Sequence, residues 1–203
     1  MPFVDARKKC AVILMIVALH GCSLVQHKST HQETGASSQA AAISGGEYHR
    51  AINDLKAGKV EDALNRFKAL SESHPDFAAS FISVGLIEIK RNNLRAAETA
   101  LLHAAQLAPQ QAEIYNGLGI IYRRTGRFNE AETAYLKALE LAPDYANAHL
   151  NIGILYDIYL NNLSAALDHY QHYQTISDGN NTVVNKWILD VKQRLAKTMG
   201  AAK

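Results

Sequence analysis

Hydrophobic and polar positions divide the chain into four stretches. Near the N-terminus, ten apolar residues run without interruption from Cys10 to Leu19 (CAVILMIVAL), behind the basic cluster Arg7, Lys8 and Lys9. A helix needs about 20 such residues to cross a bilayer, so this pattern predicts a secretory hydrophobic region rather than a span. From Ser23 to Ile43 the residues are mostly Ser, Thr, Gln and Ala with scattered charge and no apolar period. Such a stretch buries too little surface to fold and is expected to be a flexible tether, reaching roughly 25 Å as a coil. Residues 44–179 carry a long-period pattern of small and large apolar positions. Beyond the breaker Asp178-Gly179-Asn180-Asn181, Val183, Val184, Trp187, Ile188, Val191 and Leu195 recur at threes and fours, which predicts one more amphipathic helix.

The long period is 34 residues. Pro75, Pro109 and Pro143 fall on it, as do Gly85, Gly119 and Gly153, and Ala63, Ala97, Ala131 and Ala165. The third copy reads Tyr115-x2-Leu118-Gly119-x2-Tyr122, then Ala131-x3-Tyr135, then Pro143. The second reads Phe81-x2-Val84-Gly85, Ala97-x3-Leu101, Pro109; the fourth reads His149-x2-Ile152-Gly153-x2-Tyr156. The first keeps Ala51, Gly58, Ala63-x3-Phe67 and Pro75. This resembles the tetratricopeptide repeat, and the resemblance implies an all-α solenoid of helical hairpins. Four repeats are expected, at residues 44–77, 78–111, 112–145 and 146–179, followed by a capping helix and tail at 180–203.

Elementary packing agrees with that register. Small residues at the eighth and twentieth places let two helices approach closely, while large ones at the fourth, seventh, eleventh and twenty-fourth fill the space around them. Proline at the thirty-second place lacks an amide donor and turns its predecessor away from helix, so it separates one repeat from the next. Asp76 and Asp144 follow two of these prolines and are expected to cap the next helix. In the fourth repeat Leu160 stands where a turn glycine belongs, and sliding by one residue replaces Ala165/His169 with the better pair Ala166/Tyr170. An inserted residue is therefore expected near Tyr159–Asn162. Trp187 is expected to pack as part of the cap, with a ligand-stacking role as the alternative. The charge of +4 over residues 180–203 against −3 over repeat 4 favours docking of one on the other.

The end of the apolar run, Leu19-His20-Gly21-Cys22, resembles the lipobox of bacterial lipoproteins, although His20 departs from the small or aliphatic residue usual there. The resemblance implies that residues 1–21 are a signal peptide and that Cys22 becomes the acylated N-terminus. Ser23 stands where Asp would retain a lipoprotein at the inner membrane, so by the same resemblance the destination is the periplasmic face of the outer membrane of a Gram-negative bacterium. Cys10 and Cys22 are the two cysteines of the 203 residues, so the processed chain would bring no free thiol into an oxidising compartment. Cleavage would also remove three basic side chains and one acidic one, leaving 18 of each. A formal charge of +2 on the full sequence already gives no electrostatic reason to expect nucleic acid.

Candidate chemistry is sparse. The sequence has no G-x-S-x-G, H-E-x-x-H or Walker loop, and Gly117-x-Gly119 lies inside a predicted helix rather than after a strand. His27 and His31 lie in the tether, and His169 and His172 lie three apart on a helix without a carboxylate at matching spacing. Neither pair is read as a metal site. No catalytic role, cofactor, metal or small-molecule substrate is expected. A binding surface follows from the family resemblance, which implies a concave face lined by the first helix of each repeat, chiefly at its second, fifth, ninth, twelfth and thirteenth places. The fifth places are Tyr48, Ile82, Asn116 and Leu150, and the ninth are Ile52, Leu86, Ile120 and Ile154. Lys56, Lys90 and Arg124 stand at thirteenth places and Arg123 at a twelfth. The expected groove has an aliphatic floor and a basic margin. The alternative is that the ninth-place residues only pack between adjacent helices. The Lys/Asn constellation with which some eukaryotic relatives clamp a C-terminal carboxylate is missing. The expected function is an adaptor for envelope proteins, resembling the repeat lipoproteins that serve assembly of a type IV pilus or secretin. An adaptor for peptidoglycan hydrolases or proteases is the alternative, and a hydrolase with an unrecognised site a remote one.

Overall fold

A computed structural model describes residues 33–177, 179 and 181–201. Nine α-helices follow one another among these residues, with no strand. They are α1 (Glu33–Lys56), α2 (Val60–Ser73), α3 (Ala78–Lys90), α4 (Leu94–Leu107), α5 (Ala112–Arg124), α6 (Phe128–Leu141), α7 (Ala146–Ile154), α8 (Leu163–Ile176) and α9 (Thr182–Ala201). Helix α7 continues directly into a π-helical segment, Leu155–Tyr159. Successive pairs α1/α2, α3/α4, α5/α6 and α7/α8 form hairpins, and each hairpin packs on the next. The first helices also touch one another, α3 on α5 and α5 on α7, whereas α4 and α6 have no comparable contact. The array is therefore an all-α solenoid that curves with its first helices on the inner side.

The 34-residue ladders define the closest contacts. Alanines at the twentieth place, Ala63, Ala97 and Ala131, are fully buried, and so are Phe67, Leu101 and Tyr135 four residues on. The eighth-place glycines face these larger side chains. A Cβ on Gly85 would stand 2.5 Å from Leu101 Cγ, and one on Gly119 only 2.4 Å from Tyr135 Cε1. The hairpin turn needs a left-handed residue at the fifteenth place, supplied by Gly58, Asn92 and Gly126 with φ of 75°, 61° and 77°.

Repeat 4 carries the expected extra residue, and the π-helical segment absorbs it. One wide turn moves the left-handed position on to Asn161 (φ 50°), and the buried pair becomes Ala166 and Tyr170, at 0% and 1% exposure. A Cβ on Gly153 would meet the Tyr170 ring at 2.7 Å, as Gly119 meets Tyr135 one repeat earlier. Such single wide turns are the usual way a helix takes up one inserted residue.

Two expectations are corrected. Helices α3 and α7 have Phe77 and Tyr145 at their N-caps and no side-chain cap hydrogen bond, so Asp76 and Asp144 are not caps. Each aspartate lies one residue too early, inside a turn closed by backbone bonds from Phe77 N to His74 O (3.0 Å) and from Tyr145 N to Ala142 O (3.0 Å). Helix α1 begins at Glu33, so it takes in residues 33–43 of the expected tether. That segment lacks proline and holds four alanines, which favours continuing the helix of repeat 1 backwards. The signal peptide, Cys22 and the start of the tether lie outside the described residues.

The cap docks as charge and pattern suggested. Val184 and Val191 of α9 are buried against the cluster that holds Tyr170, and the Trp187 ring lies 5.6 Å from that of Tyr170. Gln174 of α8 donates to Asn181 O (2.8 Å) and to Asn185 Oδ1 (2.6 Å), while Arg194 of α9 pairs with Asp157 in the π-helical segment. Trp187 is thus engaged in packing.

Candidate functional site: the concave face

A cavity of about 660 Å³ lies on the inner side between α1, α3 and the start of α5. Its apolar wall is built by Tyr48, Ile52 and Leu55 from α1 with Ile82 and Leu86 from α3. Lys90 and Glu113 supply charge at its edge, so the margin is mixed rather than uniformly basic. Helical geometry explains the lining: residues four apart share a face. That face turns inward because the opposite sides of α1 and α3 carry Ala51 and Gly85 into the hairpin core.

Of the residues expected in a groove, Tyr48, Ile52, Ile82, Leu86 and Lys90 come together here. Lys56 is exposed at the end of α1. Ile120 is half-buried between two core clusters, and Leu150 and Ile154 pack partly buried against the C-terminal cluster. Leu55 and Glu113 were not singled out in the sequence, although they stand at a twelfth and a second place of their repeats, positions the family resemblance already marks.

Several expected groove residues have structural duties. Asn116 is buried and accepts a hydrogen bond from Asn151 Nδ2 at 2.9 Å. The Tyr48 hydroxyl pairs with Ser83 Oγ at 3.2 Å. Both bonds join the fifth place of one repeat to the sixth of a neighbour, fixing the relative rotation of hairpins. Arg124 Nη1 donates to Ile89 O at 2.9 Å and satisfies a carbonyl at the C-terminal end of α3. Arg123 Nε donates to the Tyr135 hydroxyl at 3.4 Å and its guanidinium lies 5.9 Å from the centre of the Tyr159 ring. Burial holds the Tyr135 phenol above its ordinary pKa, against the opposing pull of Arg123, so this pair joins a neutral hydroxyl to a cation.

Two family models, each described as tetratricopeptide repeat, match residues 48–112 and 110–178. Together they span all four hairpins and well over half of the chain, which belongs to the tetratricopeptide-repeat family. No curated protein matches it. Among solved structures, PilF of Pseudomonas aeruginosa aligns with a TM-score of 0.68 at 16% identity, covering 81% of this chain and 74% of PilF. An O-GlcNAc transferase from Thermobaculum terrenum aligns with a TM-score of 0.62 at 23% identity, over 67% of this chain. The alignment takes in only 26% of that enzyme. MamA from Desulfovibrio magneticus RS-1 gives 0.58 at 20% identity, covering 68% of this chain and 77% of MamA. At these identities the likeness is one of fold. The fold and family are those of a protein–protein interaction scaffold.

Proposed function

We propose that this chain is a lipid-anchored periplasmic adaptor whose concave face holds a segment of another envelope protein. The cavity walled by Ile52, Ile82 and Leu86 is the observation that carries this reading: it is an open apolar surface on the side where a repeat array can hold an extended or helical segment. Lys90 at its edge and Lys56 nearby suit a partner with apolar anchors and acidic flanks. The lipobox-like sequence ending at Cys22 supports anchoring at the outer membrane, on the periplasmic side. Among the described residues no helix is long and apolar enough to cross a membrane. Assembly of a pilus or secretin is the favoured setting, supported by the resemblance to repeat lipoproteins that serve it and by the fold shared with PilF. The proposal includes no catalytic role.

Palmitate labelling tests the anchor. The wild-type chain should incorporate label and partition with membranes, since each buried methylene contributes roughly 0.8 kcal/mol. Cys22→Ser should lose both. Label that survives the substitution excludes Cys22 as the anchor. Separately, a crosslinking pull-down of the wild-type protein identifies its partner.

A further inference from the structure

The outer cleft is built from the same places in repeats 2 and 3. In repeat 2 it is flanked by Phe81, Ala100 and His103, and in repeat 3 by Tyr115, Ala134 and Lys137, each 34 residues on. Allowing for the inserted residue, the corresponding side chains of repeat 4 are His149, His169 and His172. Where repeats 2 and 3 have an aromatic residue, an alanine and a basic residue, repeat 4 has three histidines in mutual contact. The imidazoles of His149 and His172 stack with centres 5.1 Å apart and planes 8° from parallel, and His149 Nδ1 lies 2.9 Å from His169 Nδ1. His149 is only 7% exposed.

The backbone determines the proton positions. Tyr115 donates its hydroxyl to Pro109 O (3.0 Å), and His149 makes the equivalent contact from Nε2 to Pro143 O (2.8 Å). A carbonyl only accepts, so His149 carries its proton on Nε2 and presents a lone pair at Nδ1. His169 must then donate from its own Nδ1. This arrangement is satisfied when both rings are neutral, and a second added proton leaves two N–H groups facing each other at 2.9 Å.

We propose that His149, His169 and His172 form an acid-sensitive latch that holds the α7–α8 hairpin, and through it the cap α9, closed at neutral pH and releases it on acidification. The surroundings oppose charging of the pair. Burial, then the neighbouring His149 and His172, pushes His169 down to about 4, and burial also lowers His149. Asp168 on α8 and Asp144 ahead of α7 pull the other way without prevailing. Glu132 of α6 is engaged by the hydroxyl of Tyr156, whose ring stacks on His169 at 5.7 Å. Among the described residues, neither α5 nor α9 brings an ionisable group to bear on the pair. In the unfolded chain these histidines titrate near 6.5. Between that value and about 4 the unfolded chain therefore binds more protons than the folded one. Stability from the latch is full above about 6.5 and is lost progressively as pH falls through this window. The loss reaches the cap because α8 supplies Tyr170 and Gln174, on which α9 rests.

Trp187, the one tryptophan of the chain, sits on α9 and reports its departure. In the full chain, tryptophan emission should shift to the red between about pH 8 and about pH 5. Over the same range, amide protection factors, each taken against the intrinsic exchange rate at that pH, should fall in α7, α8 and α9, by up to roughly tenfold per pH unit for each net proton taken up, while those of α3–α6 hold. His149→Tyr combined with His169→Ala copies repeat 3 and should flatten the response. An equal response in that folded variant, or protection factors that fall evenly along the array, overturns the latch. Imidazole proton resonances of the unmodified chain give a second reading that needs no variant. A His169 resonance that titrates near its ordinary value in the folded protein also overturns it.

Discussion

At four glycines, Gly85, Gly117, Gly119 and Gly153, a single residue decides the packing, because a side chain has no room. At Gly119 the space for a side chain is already taken by the Tyr135 ring, itself fully buried and unable to swing away. Gly119→Leu should therefore destabilise by about 1–3 kcal/mol and lower the melting midpoint followed by circular dichroism. Gly46 also sits inside a helix, but a Cβ there meets nothing within 4 Å. Gly46→Ala should stabilise by about 0.5–1 kcal/mol, because only the conformational freedom of the unfolded chain is reduced. Opposite signs for these two substitutions are expected from the register. Equal effects would mean that position 119 is not a close contact. Gly117 shows what a period cannot reveal. It falls outside the glycine ladder, yet a Cβ there would come within 2.6 Å of Leu101 Cδ1, because this side chain of α4 reaches across to α5.

At the scale of elements, the cap is what the four hairpins cannot do without. Helix α9 covers Tyr170 and buries Val184 and Val191, each worth about 1.5–3 kcal/mol as an upper estimate. A chain ending before Thr182 should lose helical stability and bind an apolar dye that the full chain does not. Arg194→Ala should act in the same direction but more weakly, by about 1 kcal/mol. Its partner Asp157 is largely buried, but Arg194 itself is 39% exposed and screened by solvent. Element order, hairpin boundaries and the extra residue of repeat 4 were all legible in the sequence, because close packing repeats at a set interval and leaves small residues in register. The start of α1 was not, since alanine favours helix without supplying an apolar stripe to mark it. The aspartate caps failed because the proline turn determines the backbone one residue later than a side-chain cap requires.

At the scale of the whole molecule, curvature gathers the inner faces of α1 and α3 and the start of α5 into one cavity. The sequence located five of its side chains through family positions. It could not show that Asn116, Arg123 and Arg124 are turned to holding the array together, because a polar residue on an inner face reads the same whether it meets a partner or a neighbouring helix. Their reversal would confound binding with folding. Lys56 and Lys90 are exposed, so Lys56→Glu with Lys90→Glu should slow partner capture, most at low salt, while Ile52→Ala with Ile82→Ala should speed release at every salt.

Site-specific photocrosslinking in envelope extracts tests the central claim most directly, with one crosslinker replacing Ile82 in the cavity and another replacing Leu136, which is 46% exposed on the opposite helix layer. The account predicts a discrete adduct from position 82 that weakens when Lys56 and Lys90 are reversed, and none of the same mass from position 136. Identical adducts from both positions, or an adduct from position 136 alone, would contradict it and move the interaction away from the concave face.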